Sequence, residues 1–322
     1  MLSQTHLYQT GHRYAFSGVI FLLLLVPVLV PAQDSPVRHV IIIGCDGLSP
    51  QGIIQAETPN VDQLMRNGAF TLHARAVLPT SSGPNWASLF MGAGPEQHGV
   101  ISNTWQPDHP EIEPTVLGPG GIFPTIFSVI REQRPDSVTA VFHGWQGIGL
   151  LFERDMVDKI VGGNDADTTV QLATDYIREI KPLLIFIHID LPDHAIHLSG
   201  FGSHEYYVAV ERTDQYIGEV LQSLRDAEII NHSVLLVTSD HGGFGNGHGG
   251  ATMSEIEIPW IITGPGITGG REIEVPVNIH DTAATIAAIL NLDVPVGWIS
   301  RPVSSVFTEK SNVLNLFDYI QN

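Results

Sequence analysis

Three apolar runs set the terms for what this chain can fold into. Residues 38–44 (RHVIIIG), 183–190 (LLIFIHID) and 233–240 (SVLLVTSD) are short, rich in β-branched residues, and run into an acidic side chain. An unbroken apolar run of this length reads as a strand covered on both faces, the pattern of a parallel sheet. Between the runs, residues 58–67, 165–180 and 205–227 carry apolar side chains at helical spacing, the first opened by Thr58-Pro59 and closed by Gly68. Strands alternating with helices predict an α/β fold, a mostly parallel central sheet with helices on both faces. Ligands of such sheets bind beyond the carboxyl ends of the strands, where Asp46, Asp190 and Asp240 fall.

The rest of the chain adds few constraints. No internal repeat, heptad run or low-complexity tract interrupts it, and the Gly- and Pro-rich stretches 117–124 and 264–270 read as surface loops rather than linkers. The N-terminus is more specific. His12 and Arg13 precede an apolar run over residues 15–30 that ends in Val30-Pro31-Ala32, so residues 1–32 read as a signal peptide and residues 33–322 as one exported catalytic domain. An uncleaved anchor is the alternative, although the run is short for about 30 Å of hydrocarbon and contains Pro27. The formal net charge is −19, and the presumed leader contributes no acidic residue to it. A surface of that sign repels a phosphate backbone, which argues against duplex nucleic acid as a partner. The single cysteine, Cys45, forms no internal disulfide.

The strand ends carry the chemistry. Asp240-His241-Gly242-Gly243 is trailed by His248-Gly249-Gly250, giving one carboxylate and two imidazoles on a glycine-rich turn, a donor mixture suited to zinc. Asp193 and His197 lie four apart, on one face if the segment is helical. His188 alternates with apolar residues inside its strand and reads as a core histidine, with Asp190 a nearby acidic competitor. A polar turn explains Asp46 alone, or Asp193 with His197 alone, equally well, but three strand ends delivering Asp46, Asp193 and Asp240 with three histidines favour a metal site. Residues 78–92 (LPTSSGPNWASLFMG) add a hydroxyl: Pro84 suits the first helical position, and Ser82 would then sit where the N-terminal N–H groups favour an anion.

Together these motifs resemble the alkaline phosphatase superfamily, and within it the type I phosphodiesterase and nucleotide pyrophosphatase group. The resemblance runs in order through GCDG (44–47), TPNVDQL (58–64), PTSSGPN (79–85), PEQHG (95–99), LPDHAIH (191–197), SDHGG (239–243) and GHGG (247–250). It implies a three-layer α/β/α sandwich and a hydrolase with two divalent metal ions, zinc being the expected pair. Asp46, Asp240 and His241 would hold one metal with the nucleophile oxygen, and Asp193, His197 and a further histidine the other. That histidine is His248, with His280 as the rival. The pattern selects Ser82 as nucleophile, Thr80 and Ser81 being second choices, and gives Asn85 a hydrogen-bonding role at the phosphoryl group.

The chain departs from the nucleotide pyrophosphatases in having Ser82 where they usually have Thr, and Gly83 where an aromatic often follows. The expected substrate is a small-molecule phosphoester, cleaved through a phospho-serine intermediate. The absence of Lys or Arg between Val77 and Glu96 tilts the expectation toward diesters, although Arg154 or Lys159 could fold in. A phosphomonoesterase, a phosphonate hydrolase or a sulfatase would use the same site, but no CxPxR-type sulfatase sequence is found. A non-enzymatic binding protein or a superfamily mutase or transferase fits less well.

Overall fold

The structure, a computed structural model, describes residues 37–308. The expected signal peptide at residues 1–32 lies outside them. In chain order the strands are β1 His39–Cys45, β2 Ala69–Arg75, β3 Thr139–His143, β4 Lys159–Gly162, β5 Leu184–Ile189, β6 Ser233–Thr238, β7 Glu257–Thr263 and β8 Arg271–Glu272. They form one sheet in the order β4-β3-β5-β1-β6-β7-β2-β8, in which β7 alone runs antiparallel to its neighbours. The sheet is therefore mostly parallel, as predicted. β7, β2 and β8, where the three leading apolar runs have no counterpart, extend it on one side.

The helices are α1 Pro50–Gln55, α2 Pro59–Asn67, α3 Ser82–Met91, α4 Pro95–His98, α5 Ile126–Gln133, α6 Ala166–Ile180, α7 Asp193–Ser199, α8 His204–Asp226, α9 Met253–Ile256 and α10 Asp281–Ile289. Strand side chains alternate between two cores, and that alternation builds the three layers. Val40 and Ile42 of β1, Phe186 of β5 and Leu236 of β6 pack against α3, α5 and α10. Ile41, Ile43, Ile187 and Val237 face α2, α6, α7 and α8 on the other side. The helices over 58–67, 165–180 and 205–227 form as expected, α6 being capped by the Asp165 carboxylate on the Thr168 N–H at 2.8 Å.

The start of α3 differs from the expectation. The helix begins at Ser82, with Ser81 as N-cap, so Pro84 is the third helical residue rather than the first. The first three N–H groups of a helix have no intrahelical acceptor, so proline loses nothing there. The shift places the Ser82 hydroxyl within the first turn instead of ahead of it. α3 is buried along its whole length, and the Trp86 ring lies directly over β1. A Cβ on Gly44 would stand 2.5 Å from that ring, which explains the glycine at the end of the apolar run.

A candidate metal centre beside Ser82

β1, β5 and β6 are central neighbours, and their registered ends put Gly44 opposite both His188 and Thr238. The chain leaves β1 into Asp46, and main-chain bonds tie that turn to its neighbour strand: Asp46 N–H to Ile189 O and Asp193 N–H to Asp46 O, each 2.9 Å. Gly47 takes a positive φ of 74°, and a Cβ there would be 2.9 Å from the Asp193 backbone, so only glycine lets the two acidic segments close up. α7 then carries Asp193 and His197 one turn apart, with Asp193 Oδ2 3.3 Å from His197 Nε2.

The acidic and imidazole residues meet in two overlapping groups. Asp193, His197 and His248 present ligand atoms within 4.8 Å of one another, and so do Asp46, Asp193 and His241. Asp240 joins the second group through Oδ2, 3.2 Å from His241 Nε2, while His241 Nε2 is also 3.2 Å from Asp46 Oδ1. All six expected ligands are thus brought together. His280 is not among them: it pairs with Asp281 at 3.3 Å at the start of α10.

The donor chemistry fits a divalent cation. Asp46 Oδ1, Asp193 Oδ1 and Asp240 Oδ2 are buried acceptors with no hydrogen-bond partner, an arrangement that is costly unless something positive is held between them. Each of the three imidazoles has Nδ1 committed to a main-chain carbonyl: His241 to Gly242 at 2.8 Å, His248 to Thr80 at 2.9 Å and His197 to Asn246 at 3.2 Å. A carbonyl only accepts, so Nδ1 carries a proton in each, and Nε2 is the atom turned to the cluster that would ligate a metal once deprotonated.

Without a cation, the electrostatics are strained. Burial pushes the Asp240 carboxyl up to about 7 and that of Asp193 up to about 6, and in both the charge of Asp46 adds to the effect. Burial would raise Asp46 as well, but the His188 hydrogen bond and the His241 imidazole beside it hold it well below the usual carboxylate range. Burial opposes a charge on His241 too, yet the carboxylates of Asp240 and Asp46 outweigh it and lift that imidazole to about 10. His248 goes the other way, lowered to about 4 by burial and the neighbouring His241, whose ring stacks on it at 3.6 Å.

Ser82 is the hydroxyl at this cluster, its Oγ 3.4 Å from His241 Nε2. Thr80 is otherwise engaged, donating from Oγ1 to Gly250 O at 2.7 Å, and Ser81 is the helix N-cap. Asn85 does not reach toward the cluster. Its amide spans the preceding loop, with Oδ1 on Val77 N–H at 2.7 Å and Nδ2 on Pro79 O at 3.2 Å and Ser81 O at 2.9 Å, so it shapes the loop instead of offering a donor to a phosphoryl group. A residue unmarked in the sequence lies close by: Asn103 Oδ1 accepts the Gly83 N–H at 2.7 Å, which ties its side chain to the residue after Ser82. Asn103 sits in a loop among polar residues, and only the fold reveals its proximity.

His188 is the second residue whose role the strand pattern hid. Fully buried, it is no bystander in the core: Nε2 lies 2.9 Å from Asp46 Oδ2, which also accepts from Trp86 Nε1 at 3.3 Å. These two donors orient Asp46 so that Oδ1 faces the cluster. Asp190 is drawn toward Gly144, outside both groups. Arg154 is exposed and donates to Gly149 O at 3.3 Å, and Lys159 is exposed on the edge strand β4, so neither cation joins the groups around Ser82.

Comparison with known proteins gives the same picture from outside. Residues 40–246 match the family model described as type I phosphodiesterase / nucleotide pyrophosphatase, and residues 202–292 match that of sulfatase. Ectonucleotide pyrophosphatase/phosphodiesterase family member 3 of Mus musculus is 25% identical over 231 residues, 67% of this chain and 26% of that protein. Arylsulfatase K of Danio rerio is 38% identical over 86 residues, 25% of this chain and 16% of its own length. The chain therefore spans about a quarter or less of these curated relatives. Murine ectonucleotide pyrophosphatase / phosphodiesterase 5, solved as an inactive variant in complex with AMP, superposes with a TM-score of 0.69 at 16% identity, covering 84% of this chain and all of that one. The matched segment runs from the first apolar strand through the Asp240-His241 turn, so the chain belongs to the type I phosphodiesterase / nucleotide pyrophosphatase family.

Proposed function

We propose that residues 33–322 form one exported catalytic domain, a two-zinc phosphodiesterase that uses Ser82 as its nucleophile. The observation that carries this reading is the pairing of three partnerless buried carboxylate oxygens with three imidazoles whose Nδ1 protons are all tied to main-chain carbonyls, next to the Ser82 hydroxyl. Asp46, Asp240 and His241 would hold one ion with Ser82 Oγ, and Asp193, His197 and His248 the other. When bound, the ions supply Lewis acidity that makes the serine hydroxyl more acidic and stabilises charge on the leaving oxygen.

The residues of the chain do the rest. Ser82 Oγ gives up its proton to solvent and attacks phosphorus as the bond to the leaving oxygen breaks, and the departing alkoxide takes a proton back from solvent. Nδ2 of Asn103 and the Ser82 N–H, which at the first helical position has no intrahelical acceptor, donate to a non-bridging oxygen as its charge grows. Attack of water on the phospho-serine then releases the phosphate product and returns the proton to Ser82.

Among the described residues no Lys or Arg side chain joins the cluster, which favours a substrate with one negative charge at phosphorus, a diester, over a monoester. Nucleotide diesters are plausible by family, but position 83 offers no stacking platform: a Cβ there would be 2.8 Å from Ser102 O. The sulfatase match over residues 202–292 supports a second reading, sulfate-ester hydrolysis at the same site. Against it, Trp86 occupies the position after Ser82-Gly83-Pro84-Asn85 where a sulfatase sequence carries arginine, and its indole is committed to Asp46. The test is a panel of an aryl phosphate diester, an aryl phosphate monoester and an aryl sulfate with zinc-loaded protein. The reading expects the diester to turn over fastest, and a faster monoester or sulfate would refute it.

A further inference from the structure

We infer that Thr80 is a positioning residue that locks the His248 turn to the nucleophile loop, setting the second cation position and Ser82 in one rigid frame. The inference rests on the reading above, in which His248 holds a cation with Asp193 and His197. Thr80 is fully buried, and each of its polar side-chain and carbonyl atoms is used on three successive residues of one turn. Its carbonyl accepts from His248 Nδ1 at 2.9 Å, its hydroxyl accepts from Gly249 N–H at 3.1 Å, and the same hydroxyl donates to Gly250 O at 2.7 Å. The hydroxyl makes no bond to any other element. Its geometry serves the ligand turn alone.

Both sides of this contact are braced. Glu255 grips the turn from behind, accepting Gly250 N–H at 2.7 Å and Thr252 N–H at 3.1 Å. On the nucleophile side, Asn85 holds the carbonyls of Pro79 and Ser81, which flank Thr80. His248 Nε2, 3.7 Å from Asp193 Oδ1, and Ser82, two residues beyond Thr80, are therefore fixed relative to one another through a single side chain. Partners that orient ligands from outside the coordination sphere commonly change metal affinity by about 10–100-fold when removed.

Thr80→Val removes the hydroxyl while leaving the carbonyl that His248 uses; Thr80→Ser keeps both. Metal-free wild type, Thr80→Val, Thr80→Ser, His248→Gln and the Thr80→Val/His248→Gln double variant are titrated with Zn²⁺ against a competing chelator, with the thermal midpoint of each metal-free protein recorded. The expected result is an about 10–100-fold weaker second zinc equivalent in Thr80→Val, near wild-type affinity in Thr80→Ser, and no further loss when Thr80→Val is added to His248→Gln. Thr80→Ala serves the same comparison if the valine variant does not fold. Unchanged zinc affinity in a folded Thr80→Val, or losses that simply add in the double variant, would overturn the inference. Wild-type protein that takes up no zinc would overturn the two-zinc reading itself, and this inference with it.

Discussion

His188 Nε2 and Asp46 Oδ2 are 2.9 Å apart at the buried carboxyl end of β1, and the bond leaves Asp46 Oδ1 turned to the cluster, 3.2 Å from His241 Nε2. The imidazole also packs edge-on against Trp86, with ring centroids 5.3 Å apart, so its orientation is set by two neighbours. Replacing His188 with phenylalanine would keep the packing and remove the donor. Zinc affinity is expected to fall by about 10–100-fold, with partial recovery in His188→Gln, measured by chelator competition. Equal affinity in all three proteins would show that Asp46 is oriented without it.

Asn103 is expected to act on turnover and not on metal. Its Oδ1 holds the Gly83 N–H beside Ser82 and, in the proposed mechanism, its Nδ2 donates to the phosphoryl group, whereas none of the six clustered residues bonds to it. Loss of one such donor typically lowers kcat by about 10²–10³-fold. Asn103→Ala should show that loss on an aryl diester while keeping wild-type zinc content, and Asn85→Ala, which opens the loop itself, should instead lose stability.

Cation binding should expel protons. In the metal-free protein the Asp240 carboxyl sits near 7, the Asp193 carboxyl near 6 and the His241 imidazole near 10, raised above their ordinary values by burial of the carboxylates and by the carboxylates around the histidine. A ligand must be deprotonated, so groups with raised values hold protons that a metal has to displace, and affinity falls as pH drops through 7 toward 6. Calorimetric titration with zinc at pH 7 in buffers of different ionisation enthalpy is expected to show release of about one proton or more per chain. Proton-neutral binding, flat in affinity from pH 8 to 6, would contradict the electrostatics described above.

Much of this was legible in the sequence because strand and helix periodicities are local. The runs ending at Gly44, Asp190 and Asp240 announced the three central strands, and their carboxyl ends announced the site. The four-residue spacing of Asp193 and His197 translated directly into a helical pair. What the sequence hides are partners distant along the chain. His188 lies in the core as its alternation predicts, but alternation reports only which face a side chain takes, and its partner Asp46 stands 142 residues away. The Asn85 amide turns into its own loop because hydrogen-bond direction depends on the loop path, and Pro84 stands at the third helical residue instead of the first because proline is as welcome at either. β7, the antiparallel strand, carries no catalytic residue and no motif that marked it.

The central claim is that Ser82, held 3.4 Å from His241 Nε2, is the nucleophile of a metal-dependent esterase. Ser82→Ala, loaded with zinc and assayed on an aryl phosphate diester beside the wild type, tests it most directly. The variant is expected to retain metal with turnover reduced by several orders of magnitude, and to carry no phosphoryl group when the reaction is stopped by acid quench. Turnover within a few-fold of wild type in a pure, zinc-loaded Ser82→Ala protein would contradict it.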